Sequence, residues 1–145
     1  MLKEIGLRME VPAGWKVGLP SFKSGKRYKI DPKGDHCFPS ESHSYPFGRV
    51  WSFDLAPFSS LTEFIHTQPT LHGLTLTERP ILISGYEGIE VIGFGIGENK
   101  IPVKGVYQYI QKGEKVIVAS FLTIEDSFPA QESLFRSALK SLKID

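Results

Sequence analysis

A chain of 145 residues, 41% hydrophobic and 23% charged, is long enough to bury one core and too mixed to be fibrous or disordered. Its formal net charge of +1 excludes a whole-molecule field that would gather it onto nucleic acid or an anionic membrane. A single cysteine excludes an internal disulfide, and no apolar run reaches the roughly 18 residues of a membrane-spanning helix.

Met1 to Arg8 carries no apolar run of signal length, so a cytoplasmic location is expected, with an exported form whose leader has been removed as the alternative. Leu2 to Val11 is apolar at positions 5, 7, 9 and 11, the period-two pattern of a strand with one buried face. Pro12-Ala-Gly-Trp15 turns the chain, and a short strand resumes before Pro20. Trp15 sits where a large ring closes over core apolar surface.

Charge is concentrated at the front. Residues 1–36 carry eight basic side chains against four acidic ones. The densest piece, Phe22-Lys-Ser-Gly-Lys-Arg-Tyr-Lys29, interleaves cations with aromatics as a phosphate-binding patch would, but the plainer reading, a solvated hairpin or loop with ordinary lysines, is preferred. Residues 31–48 hold prolines, glycines, serines and two histidines with no periodicity, and read as a long loop with a strand beginning near Arg49.

Arg49 to Leu55 alternates Trp51, Phe53 and Leu55 with Val50, Ser52 and Asp54, so the aromatic face should be buried. Ser60-Leu-Thr-Glu63 fits a capping box opening a short helix with Leu61, Phe64 and Ile65 inward, ended before Pro69. Strands over Thr77–Ser84, Ile89–Gly95, Val103–Ile110 and Lys115–Thr123 follow, separated by turns at Gly85–Gly88, Gly97–Lys100 and Gln111–Glu114. Such short turns demand antiparallel neighbours. Pro129 suits a first helical turn, and Leu134, Phe135, Ala138, Leu139 and Leu142 then recur at helical spacing over Ala130–Leu142. Residues 1–145 make one domain of α+β class with a mostly antiparallel sheet of about six strands.

Few residues carry chemistry. His36, Cys37 and His43 form the ligand-rich cluster, yet their spacing matches no standard zinc pattern. A Cys37 nucleophile paired with His36, His43, His66 or His72 would need a converging oxyanion pocket that spacing alone does not provide. Gly93-Phe-Gly-Ile-Gly97 lacks the fingerprint spacing of a dinucleotide loop, and Ser84-Gly-Tyr-Glu87 is no nucleophile elbow. Glu87, Glu90, Glu98 and Glu114 fall near turns or strand ends and read as solvated carboxylates.

The order of elements resembles the Mog1/PsbP-like superfamily, which includes DcrB-like lipoproteins and chaperones of type VI secretion effectors. The resemblance rests on Gly6-Leu-x-x-Glu-Val-Pro-Ala-Gly-Trp15, the helix at Ser60–Thr67 and the glycine hairpin Leu82-Ile-Ser-Gly-Tyr-Glu-Gly88. Tyr107-Gln-Tyr109 and the closing helix with its extended tail, Phe128 to Ile144, complete it. It implies an α/β/α sandwich and a binding or assembly role, and it transfers no catalytic residue and no cofactor.

The sequence therefore reads as a non-catalytic, chaperone-like protein whose partner is another protein, a second copy of the chain included, and not nucleic acid. The partner-binding candidates are Phe22, Lys26, Arg27, Tyr28, Lys29, Phe38, Tyr45 and Phe47, aromatic anchors and steering cations in an otherwise turn-rich segment. The alternative is a small hydrolase or metal-dependent enzyme using Cys37 and nearby histidines.

Overall fold

The computed structural model describes residues 7–12, 15–17, 27–31, 46–68, 71, 73–96 and 100–145. Elements run in the order β1 (Leu7–Arg8), β2 (Lys16–Val17), β3 (Arg27–Asp31), β4 (Phe47–Asp54), α1 (Leu61–His66), β5 (Thr75–Ile83), β6 (Tyr86–Ile96), β7 (Pro102–Lys112), β8 (Lys115–Ile124), α2 (Phe128–Lys140) and β9 (Lys143–Ile144). Among the described residues β2 to β8 form one seven-stranded sheet in the order β2-β3-β4-β8-β7-β6-β5, and β1 pairs with β9. All neighbours are antiparallel. Against the six strands expected, the sheet gains β2 and β3 and lacks the first, whose described part, β1, pairs with β9 instead. β3 lies against β4 with Arg27 opposite Trp51 and Ile30 opposite Gly48.

The topology explains the layers. Strands β5 to β8 are a meander whose last member, β8, returns beside β4. The chain must therefore cross from β4 to the far edge, and α1 makes that crossing over one face. Leu61, Phe64 and Ile65 of α1 pack with Trp51, Tyr107, Tyr109, Val116 and Val118. Side chains alternate along a strand, so the opposite face carries Val50, Val106, Ile110, Ile117, Ala119 and Phe121, covered by Phe135, Ala138 and Leu139 of α2. Phe121 and Phe135 stack at 5.2 Å, and Trp15 closes over both edge-on. Both faces of β4 are thus buried, where alternation alone promised only the aromatic one.

Local chemistry sets the boundaries. Ser60 Oγ accepts from the Glu63 amide at 3.1 Å, one half of the expected box. The other half shifts by a residue, with the Glu63 carboxylate accepting from the amide and hydroxyl of Ser59. These two donors hold the Glu63 carboxyl below the ordinary carboxylate range. The first hairpin turns at Ser84-Gly85, not at Gly85–Gly88. Both turn residues have positive φ, 52° and 85°, which is the demand of a two-residue type I′ turn. Gly88 falls inside β6, where a Cβ would lie 2.5 Å from the carbonyl oxygen of Tyr109.

Helix α2 starts two residues before its expected first residue and stops two earlier, leaving Leu142 as a buried residue of the tail. Of the strand expected over Leu2–Val11, the described part is strand only at Leu7–Arg8. The next amide bonds, Glu10 N to Ser141 Oγ at 2.7 Å, run to a side chain, so the ladder ends. No helix among the described residues is long and apolar enough to cross a membrane.

Candidate functional site

The candidate binding residues divide three ways. Phe22, Lys26, Phe38 and Tyr45 lie outside the described residues, as do His36, Cys37, His43 and His72. Arg27, Tyr28 and Lys29 occupy β3, near one end of the sheet order. Phe47 is 1% exposed and belongs to the core beside Trp51, with the Arg49 guanidinium 5.4 Å from its ring. A ring so placed seals the sheet and offers no face to a partner. His66 is held at 3.0 Å by the Glu78 carboxylate of β5. Among the described residues no three His, Cys, Asp or Glu side chains group as metal ligands do.

The reading of Glu90 as a solvated carboxylate is overturned. It stands in mid-β6 on the face covered by α2 and is 1% exposed. Three elements converge on it. Arg79 of β5, directly opposite in the register, donates from Nε at 2.6 Å. Gln108 of β7, opposite on the other side, donates from Nε2 at 3.1 Å. Arg136 of α2 donates from Nη1 to the same carboxylate. Burial, the largest single influence, pushes the Glu90 carboxyl up; the bonds from Arg79 and Gln108 and the charges of Arg136 and Arg79 together outweigh it and hold it below the ordinary value. The same bond raises the Arg79 guanidinium above its already high value. Glu90 is thus a fixed anion, unsuited to giving or taking a proton near neutrality. Its signal in the sequence was the alternation Gly88, Glu90, Ile92 on an inward face, which placed an acid where an apolar residue belongs.

Two clefts flank the end of β5, one on each face of the sheet. On the α1 face, Leu61, Pro80, Leu82, Glu87, Ile89 and Gln111 line a cleft of about 570 Å³. On the α2 face, a cleft of about 370 Å³ lies over Glu90, walled by Ile81, Ile83, Leu139 and Leu142 and rimmed by Arg79, Arg136 and Lys140. β5 itself is the edge of the sheet. The two-residue turn makes Ile83 and Tyr86 a hydrogen-bonded pair, and counting back by twos turns residues 76, 78, 80 and 82 outward. Pro80 therefore removes a donor from the middle of the free edge, which disfavours pairing with a further strand.

An antiparallel sheet with a helix on each face defines the class: an α/β/α sandwich. The fold is that of cyanobacterial PsbP (CyanoP) from Synechocystis sp. PCC 6803, with a TM-score of 0.70 over 99% of this chain and 89% of that one, at 12% identity. Protein PA94 of Pseudomonas aeruginosa is similar at a TM-score of 0.56 and 11% identity, over 91% of this chain and 83% of that one. LpqN of Mycobacterium tuberculosis, a protein involved in cell envelope biogenesis, is similar at 0.55 and 9% identity, over 95% and 82%. No family model matches the sequence, and no curated protein matches it. At these identities the likeness is one of fold.

Proposed function

We propose that this chain is a non-catalytic, chaperone-like binding protein whose partner is another protein. The observation that carries this reading is the state of Glu90. The buried acid at the centre of the α2 face is saturated by two guanidinium groups and an amide, so the polar centre on that face holds the layers together instead of running chemistry. The order of elements, which resembles a superfamily of binding and assembly proteins, supports this reading by analogy.

The contact runs through the segment of residues 20–48, with Tyr28 and Tyr45 as anchors and Arg27 and Lys29 as steering charges beside β4. The contact is made by side chains, and Pro80 disfavours strand addition at the β5 edge, at the other end of the sheet. A partner isolated by affinity capture should lose about tenfold or more in affinity, by calorimetry, to folded Tyr28→Ala or Tyr45→Ala variants. Wild-type affinity in both would refute this surface. Zinc bound in stoichiometric amount, or a hydrolytic turnover lost in Cys37→Ser, would refute the non-catalytic reading. Sedimentation of the purified chain decides whether a second copy is the partner.

A further inference from the structure

The cleft beneath the second half of α2 divides its chemistry in a way that holding the layers together does not require. Its floor is made of acceptors. Both Glu90 oxygens are engaged, and Gln108 Oε1 is buried without a hydrogen-bond partner among the described residues. Gln108 cannot turn over, because reversing its amide would set its oxygen against Glu90 Oε1. Its rim is made of cations. Among the described residues Arg79 bonds Glu90 through Nε, and its side chain is 64% exposed, which leaves its two terminal nitrogens accessible to a ligand. Lys140 is exposed and has no ion-pair partner among the described residues. Glu132, 3.7 Å from Arg136 Nη2, offsets part of Arg136 and neither of the other two. Its walls are the apolar side chains of Ile83, Leu139 and Leu142.

We propose that this cleft binds an organic carboxylate bearing a short apolar tail. The carboxylate lies at the rim, bridged by the terminal nitrogens of Arg79 and by Lys140, a geometry in which the planar guanidinium matches the planar anion. It stays off the floor because Glu90 and Gln108 present oxygens there. The tail occupies the apolar wall. The cleft volume of about 370 Å³ lies at the small end of ligand pockets, which fits a tail of few carbons. A bare inorganic anion would leave that wall in water, and a metal cation would meet two guanidinium groups already holding the one carboxylate. Two sources share the chemistry: a free small acid, and the last residue of a peptide with its C-terminal carboxylate.

The test is a two-dimensional NMR titration of the nitrogen-labelled chain with isocaproate. Saturable shifts are expected at the backbone amides of Ile81 to Ser84 and Leu139 to Leu142. Isocaproamide should bind about tenfold more weakly for want of the charge. Acetate should also bind about tenfold more weakly or worse, having lost the buried methylenes. Lys140→Gln leaves the Glu90 network untouched and should weaken isocaproate about two- to fivefold. Arg79→Gln should weaken it more, about tenfold, with the dispersion of its free spectrum showing that it remains folded. An N-acetylated tripeptide ending in leucine separates the sources. Affinity about tenfold above isocaproate assigns a peptide C-terminus, and equal or lower affinity assigns a free acid. Isocaproamide binding as well as isocaproate, shifts confined to other parts of the sheet, or no shift at all would overturn the site.

Discussion

Glu90 concentrates the electrostatics of the molecule in one side chain. Its carboxyl titrates below the ordinary value, so between the two values the unfolded chain binds a proton that the folded chain refuses. Stability from this group is complete above the unfolded pKa of about 4.3 and is lost as pH falls through the folded one. Glu90→Gln should cost about 1–3 kcal/mol at neutral pH, since the guanidinium groups that lose the charge are partly exposed and can rehydrate. The sharper readout is the slope: denaturation midpoints measured at falling pH should decline less steeply in the variant than in the wild type below about pH 4.5. Parallel declines would mean that other carboxylates set the acid limit. Gly88 is the steric counterpart. An added Cβ would press on the Tyr109 carbonyl, which is backbone and cannot swing away. Gly88→Ala should lower stability by about 1–3 kcal/mol through forced separation of β6 from β7, measured by chemical denaturation.

Helix α2 is the element on which one face depends. Phe135, Ala138 and Leu139 are buried against Val106, Ile117 and Phe121, so Leu139→Ala should cost about 2–5 kcal/mol, read as a lowered denaturant midpoint with unchanged slope. A midpoint equal to wild type would place the helix elsewhere. This helix, the cap at Ser60 and the strands β5 to β8 were legible in the sequence because each has its own local signal: helical spacing, a capping serine, or alternation between turn glycines. β3 was not. Arg27-Tyr-Lys-Ile-Asp31 does alternate charged with uncharged residue types, but its three charged residues resemble a solvated loop until β4 is known to lie beside it. Phe47 was misleading for a related reason. A lone aromatic at the end of an irregular stretch looks like an anchor, and only the sheet register shows that it opens a buried strand. The Glu90 cluster was illegible because its members lie on three strands and a helix, and cross-strand register, which brings Arg79 and Gln108 to either side of it, depends on where the turns fall. The turn at Ser84-Gly85 instead of Gly85–Gly88 changes that register.

At the scale of the whole molecule, one sheet separates two cores. The α1 side is built from Trp51, Phe64, Ile65 and Tyr109, and the α2 side from Val106, Phe121, Phe135 and Leu139. The strands β4, β7 and β8 contribute to both, so neither layer has a sheet of its own to fold on. This predicts cooperativity without local coupling. All of the chain should unfold in one transition, because loss of either helix exposes a face of the same three strands. Side chains on opposite faces do not touch, however, and backbone hydrogen bonds between them are rigid, so their individual contributions should add. Ile65→Val on the α1 face should cost about 0.5–1.5 kcal/mol and Leu139→Ala on the α2 face about 2–5 kcal/mol. The double variant should match their sum within about 0.5 kcal/mol, with the denaturant slope unchanged. A coupling energy above that, or two separate transitions by fluorescence of Trp15 on one face and Trp51 on the other, would show that the layers are independent units or that strain passes through the sheet. Agreement would establish the sheet as a common wall whose two faces can change separately, without either altering the other.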